Sequence, residues 1–430
     1  MTAKEHFDTG RDAFSKGNFK SALENLTKAM ELDSEYTALV YMYRGLVKFG
    51  SSDNIGAIED FNKLFEMYPN AKGDAMVGIY CARAEAKYNL SDYQGAIMDC
   101  NVTLEINPNY ANAYHIRGSA KYELSDYQGA IEDCSKSIEI EPNNAEAYRI
   151  RGEAKHYSSD FLSAIEDFNI TIEINPNDEL SHYHRGFAKL KLSNYHAAIE
   201  DFSKAIRINP DFVGAYMFRA TAKSELSDHR GAIEDYNKII AIDANRSDVY
   251  YYRGGAKCKL SDFREAIKDF NRAIEIDPYN PDIYYHRGGA KMSIEDLHGA
   301  IEDYNKVIAA NPDNAIASYY HRGAAKVGVA DINGAIADFN KVSEINSFFA
   351  KRLKISELIQ DLTEMQRSNR EDKWKAAAIV AGLVTAGVTA GLAGMLGSAG
   401  KEMFSNTEYG EKWIDYDTGK EYDHNPINDL

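Results

Sequence analysis

Residues 111–143 read ANAYHIRGSAKYELSDYQGAIEDCSKSIEIEPN, and residues 247–279 read SDVYYYRGGAKCKLSDFREAIKDFNRAIEIDPY. Laid over each other without a gap, they keep the same small, aromatic, charged and turn residues in the same places. The period is 34 residues, and it recurs as ten copies: 3–36, 38–71, 77–110, 111–144, 145–178, 179–212, 213–246, 247–280, 281–314 and 316–349. Extra residues fall only at Thr37, at 72–76 and at Ala315. A period of this length is the mark of an array, in which each unit buries its apolar face on its neighbours.

Within a copy the pattern predicts two helices. The first, from Tyr114 to Leu124, ends at Ser125-Asp126, whose short side-chain oxygens suit the orphan N–H groups of the next helix. The second runs from Tyr127 to about Ile140 and stops at Pro142, which has no N–H to give. Small residues recur where two helices must come close: Gly118 with Ala130, then Gly152 with Ala164, Gly186 with Ala198, Gly254 with Ala266 and Gly288 with Ala300. The expected fold class is all-α.

This pattern resembles the tetratricopeptide repeat family, whose signature is W-x2-L-G-x2-Y, then A-x3-F, then P. Tyr114 stands at the Trp position, Gly118 at the Gly, Ala130 at the Ala, Cys134 at the Phe and Pro142 at the Pro. The resemblance covers residues 3–349 and implies a right-handed α-solenoid superhelix of antiparallel helix pairs. It also implies a concave inner face lined by the first helices and a role as a non-enzymatic protein-binding scaffold.

One departure is systematic. The family's Leu is an Arg here, including Arg117, Arg151, Arg185, Arg219, Arg253 and Arg287, and the second helix carries an Asp, including Asp133, Asp167, Asp201, Asp235, Asp269 and Asp303. The first copy has Thr9 and Asn25 instead. The expectation is a structural Arg–Asp ladder, since guanidinium and carboxylate match bidentately. A charged binding strip is the alternative.

No residue pattern supports catalysis. Adjacent pairs such as Glu132-Asp133 point in different directions on a helix. His184, His286 and His321 share one repeat position, and no His/Cys spacing suits zinc. Cys100 and Cys134 sit where the family packs a Phe, and four cysteines without a CxxC pair make no disulfide framework. No phosphate loop, dinucleotide turn or nucleophile elbow occurs. No metal or cofactor is expected. A net charge of −17 argues against nucleic acid as a partner.

The resemblance places five recurring positions of each first helix on the inner face. Three of them hold Tyr88, Tyr122, Tyr183, Phe187, Tyr251, Tyr285 and Tyr320, beside small residues such as Gly255 and Gly289. That is an expected slot for an extended peptide or protein partner, because Tyr offers apolar area with a polar tip. Against it stands the reading that these rings only pack on one another. The Lys and Asn clamp by which some family members hold chaperone tails is missing.

Residues 350–372 read as a capping helix, with Leu358, Leu362 and Met365 at helical spacing. Residues 373–400 hold a Gly/Ala-rich hydrophobic stretch, AAAIVAGLVTAGVTAGLAGMLGSAG at 376–400, without one charge. As a helix it would be long enough to cross a bilayer. Gly382, Gly387, Gly391 and Gly394 are its close-approach residues. The expectation is a membrane anchor with the repeats facing the cytoplasm. A self-associating helix, giving homo-oligomers or a pore, and a flexible linker on a soluble adaptor are the alternatives. Residues 401–430, with three Lys against eight acidic residues, are expected to be an acidic, flexible tail.

Overall fold

The computed structural model describes residues 1–69, 73–313 and 315–368, together with a two-residue strand pair near the C-terminus. The chain falls into two compact units, Met1–Pro210 and Asp211–Leu430.

The first unit holds six helix pairs. They are α1 (Ala3–Ser15) with α2 (Phe19–Leu32), α3 (Thr37–Gly50) with α4 (Asn54–Met67), and α5 (Asp74–Asn89) with α6 (Tyr93–Ile106). Then come α7 (Ala111–Glu123) with α8 (Tyr127–Ile140), α9 (Ala145–Tyr157) with α10 (Phe161–Ile174), and α11 (Glu179–Lys191) with α12 (Tyr195–Ile208). The second unit continues with α13 (Val213–Glu225) and α14 (His229–Ile242), α15 (Ser247–Lys259) and α16 (Phe263–Ile276), α17 (Pro281–Ser293) and α18 (Leu297–Ala310), and α19 (Ile316–Gly328) and α20 (Ile332–Ile345). It ends in α21 (Ser347–Arg352) and α22 (Ile355–Ser368), then β1 (Trp413–Ile414) antiparallel to β2 (Glu421–Tyr422).

The Ser-Asp that joins the two helices of a pair divides its labour. Asp126 is the N-cap and accepts the Gly129 N–H at 3.0 Å, and Asp53, Asp92, Asp160, Asp228, Asp296 and Asp331 do the same. The Ser does not cap. Ser125 sits in the left-handed region at φ 62°, as do Ser91, Ser159 and Ser227. Gly17 takes this place in the first copy, and Glu295 and Ala330 take it in the last two. The turn geometry therefore imposes the left-handed residue, and the hydroxyl is not what holds it.

Each pair closes over the same core. Ala130 and its equivalents Ala22, Ala57, Ala96, Ala164, Ala198, Ala232, Ala266, Ala300 and Ala335 are fully buried. One turn on lies a buried ring in most copies: Phe61, Phe168, Phe202, Phe270, Tyr304 and Phe339. Burying such a ring is worth about 1.5–3 kcal/mol. A Cβ at Gly254 would come 2.8 Å from the Phe270 ring, so the glycine is what lets the two helices approach. In both units successive first helices touch directly, α5 with α7, α7 with α9 and α9 with α11, then α15 with α17 and α17 with α19. They form the tighter layer.

Beyond the repeats, the single helix expected over 350–372 is two. Lys354, at φ 53°, breaks α21 from α22. Ile355 and Leu362 are fully buried on Phe339 and Val342, and Gln366 Nε2 donates to Asn333 Oδ1 at 2.8 Å. The hydrophobic stretch 373–400, with Gly382, Gly387, Gly391 and Gly394, lies outside the described residues. Among the described residues no helix is long and apolar enough to cross a membrane.

Candidate partner-binding face

The ladder residues meet inside each repeat. Arg117 donates from Nε to Asp133 Oδ2 at 2.8 Å and from Nη2 to Oδ1 at 2.6 Å. The same fork joins Arg151 to Asp167, Arg185 to Asp201, Arg219 to Asp235, Arg253 to Asp269 and Arg287 to Asp303, and also Arg44 to Asp60, Arg83 to Asp99 and Arg322 to Asp338. The carboxylates are buried.

Two partners were not anticipated. A Lys one turn after each Arg meets the same Asp, as Lys121 does with Asp133 at 2.8 Å and Lys257 with Asp269 at 2.7 Å. The third guanidinium nitrogen reaches back a repeat: Arg117 Nη1 donates to Asn101 at 2.6 Å, and Arg287 Nη1 to Asn271 at 2.7 Å. The Tyr at the family's Trp position lies under the guanidinium, Tyr114 at 5.5 Å from Arg117. One Arg thus ties its own pair together and fastens it to the preceding one. The signal was present in the sequence, as Lys four residues after every ladder Arg. The first copy replaces the device with His6 Nδ1, 2.9 Å from Asn25 Oδ1.

Of the inner-face aromatics, Tyr183 and Tyr320 are only 5% exposed. Tyr88, Tyr122, Phe187, Tyr251 and Tyr285 are partly buried. Tyr183, Tyr251, Tyr285 and Tyr320 are joined to the histidines that share one repeat position, whereas Phe187 meets His156 and Tyr122 meets Tyr127 and Tyr157. His286 stacks on Phe270 and meets Tyr251 and Tyr285 edge-on at 5.3 and 5.5 Å. His321 stacks on Tyr304 and meets Tyr285 and Tyr320 at 5.8 and 5.3 Å. His184 stacks on Phe168 and meets Tyr183 at 5.0 Å. Burial holds His286 and His321 down at about 4, so both are neutral near pH 7. These rings are a seam between repeats, and Tyr251 and Tyr285 are only partly covered.

Gly254 and Gly255 are adjacent letters with opposite surroundings. At Gly254 an added Cβ would strike Phe270, whereas at Gly255 it would meet nothing within 4 Å among the described residues. At Gly289 it would meet only the Tyr304 hydroxyl, at 3.9 Å. A Gly inside a helix costs about 1 kcal/mol relative to Ala. Packing explains that cost at Gly254 and does not at Gly255 or Gly289.

In the first unit the first-helix positions expected to face inward are polar and titratable. Arg149 bridges Glu146 and Glu153 on its own helix, and His184 Nε2 lies 3.6 Å from Glu153. Burial pushes the Glu153 carboxyl up to about 7, against the pull of Arg149. Burial likewise lowers His115, and His156 to about 3. The four cysteines are free and buried, and burial pushes Cys81, Cys134 and Cys258 up to about 12. Among the described residues no group of His, Cys, Asp and Glu could hold a metal ion.

Known families and structures can be set beside this geometry. Two models described as tetratricopeptide repeat match the chain, one at 180–212 and one at 111–144 and 281–314, and a third, described as TPR repeat, matches 254–294. No curated protein matches the chain. Among solved structures, the MamA protein is 26% identical over 39% of this chain and 92% of its own, with a TM-score of 0.38. YrrB, described as a TPR protein with an unusual peptide-binding site, is 21% identical over 43% of this chain and 95% of its own, with a TM-score of 0.40. The C-terminal part of a TPR repeat-containing protein from Cytophaga hutchinsonii is 21% identical over 57% of this chain and 98% of its own, with a TM-score of 0.47.

Proposed function

Because the chain is a tetratricopeptide repeat protein, we propose that it is a non-enzymatic scaffold that holds a peptide segment of a protein partner on the inner face of its first helices. The observation that carries this is the bare backbone at Gly255 and Gly289, beside the partly buried Tyr251 and Tyr285. The two glycines weaken their helices and fill no packing need. Open space next to aromatic rings is what a partner side chain can use.

The test separates binding from folding. Gly255→Ala raises stability by up to ~1 kcal/mol, the helix propensity of Ala over Gly. Gly254→Ala lowers it, because Phe270 must move. Gly289→Leu folds as well as the parent. Peptides selected on the full chain from a random library bind it at least tenfold more weakly. Equal affinity on both proteins would remove this reading.

We also propose that the array is displayed at the cytoplasmic surface of a membrane. The uncharged run 376–400 motivates this, with Lys373, Trp374 and Lys375 just before it. The full chain should float with liposomes and resist alkaline extraction, and a truncation at Arg370 should do neither. If both remain in the aqueous phase, the anchor is refuted.

A further inference from the structure

The first helices of the second unit carry a chain of touching rings. Tyr251 of α15 meets His286 of α17 at 5.3 Å, and His286 meets Tyr285 on its own helix at 5.5 Å. Tyr285 meets His321 of α19 at 5.8 Å, and His321 meets Tyr320 at 5.3 Å. Gly255 and Gly289 lie one turn beyond Tyr251 and Tyr285, on the same side of their helices. An added Cβ at Gly255 meets nothing within 4 Å among the described residues, and at Gly289 only the Tyr304 hydroxyl, at 3.9 Å. The phenols add polar groups that lack a partner. Tyr320 is 5% exposed, yet among the described residues its hydroxyl is neither hydrogen-bonded nor sealed from solvent. The Tyr251 and Tyr285 hydroxyls are in the same state. Burial raises the pKa of all three phenols.

The step between tyrosines selects the shape of a ligand lying along them. The contacts of 5.3 and 5.5 Å through His286 limit the step from Tyr251 to Tyr285 to about 11 Å, and packed helix axes stand about 8–10 Å apart. An extended strand returns a side chain to the same side after about 7 Å and again after about 14 Å, so it misses the step. An α-helix returns after two turns, about 11 Å, but its carbonyls are already taken by its own N–H groups. The tyrosine hydroxyls would find no acceptor there. A polyproline II segment returns every third residue, about 9.3 Å, and its carbonyls have no internal partner. It alone meets both the spacing and the hydrogen-bonding need.

We propose that Tyr251, Tyr285 and Tyr320, with Gly255 and Gly289, recognise a proline-rich partner segment in the polyproline II conformation, with a proline at every third position. Each such proline sets its flat ring against one first helix, and the open backbone at Gly255 and Gly289 leaves room for it. The tyrosine hydroxyls donate to carbonyls of the ligand. Proline fixes the backbone beforehand, so little ordering cost is left for binding. This rests on the reading that the first helices hold a peptide. It adds the chemical class and the conformation of that peptide.

The probe is a random nonapeptide display library, selected on the full chain, on Gly289→Leu and on Glu132→Gln, which lies on a second helix of the first unit. Prolines three residues apart should be enriched severalfold over the unselected library, and prolines two apart should not. That enrichment should vanish on Gly289→Leu and persist on Glu132→Gln. Tyr251→Phe with Tyr285→Phe keeps both rings and should weaken the recovered peptides about tenfold, the loss of two hydrogen bonds, with melting unchanged. Enriched peptides without the three-residue spacing would overturn the assignment while leaving peptide binding intact. The spacing kept on Gly289→Leu, or full affinity in the double Phe variant, would overturn it as well. Selection that enriches nothing would refute both this and peptide binding.

Discussion

Asp201→Ala should cost about 3–5 kcal/mol, among the largest losses any single change can produce in this chain. Asp201 is 4% exposed and accepts from Arg185 Nε at 3.0 Å, Arg185 Nη2 at 2.5 Å and Lys189 Nζ at 2.7 Å. Burial alone would raise its pKa. Hydrogen bonds from Arg185 and Lys189, with the His182 ring 3.9 Å away, hold it down at about 2 instead. Removing the carboxylate strands two half-buried cations, and the Arg185 link to Asn169 in the preceding pair loses its brace. Arg185→Ala should cost less, about 2 kcal/mol, because Lys189 still serves Asp201. Both losses should be local, since each repeat touches only its neighbours. Urea unfolding followed by circular dichroism, with amide exchange read in α11 and α12, would check this. Unchanged melting and unchanged exchange would show that the ladder is not structural.

The second large effect is acid loss of stability through His286 and His321. Both are held at about 4 in the folded chain, Lys259 adding to burial at His286. In the unfolded chain they titrate near 6.5. Between those values the unfolded state binds more protons, so stability falls as pH falls from about 6.5 to 4. Each ring should contribute about 2 kcal/mol, less than its full shift because it is only partly buried. His286→Phe with His321→Phe should make the fall in stability between pH 7 and 5 shallower, since a neutral ring can keep the stack, while His115 and His156, also lowered by burial, keep part of the slope. An equally steep profile in the double variant would place the acid sensitivity elsewhere.

The period made the helix pairs legible, because ten copies in register repeat the same small and apolar positions. A ladder of Arg and Asp could be expected from the sequence, because both recur at fixed positions, but the letters alone did not say whether it closes within a repeat or between repeats. Lys121 was equally regular and was passed over, because a Lys on a helix surface usually faces water. The Arg149, Glu146 and Glu153 cluster was hidden for a different reason. It occurs once, and its neighbour His184 comes from the next repeat. His286 and His321 show in the sequence only as a shared repeat position, because the stack that neutralises them needs a ring from another helix. Gly254 and Gly255 cannot be told apart by letter, since only the partner helix decides which one is crowded. The break at Lys354 carries no Gly or Pro to announce it.

The inner face can be tested without knowing the partner. A photo-cross-linking benzoylphenylalanine placed at Gly289 enters open space and should leave the fold unchanged. With library-selected peptides it should form covalent adducts on illumination, and the same group at Glu132 should form none. Adducts from Glu132 alone, or from neither position while the peptides still bind, would contradict an inner-face binding site.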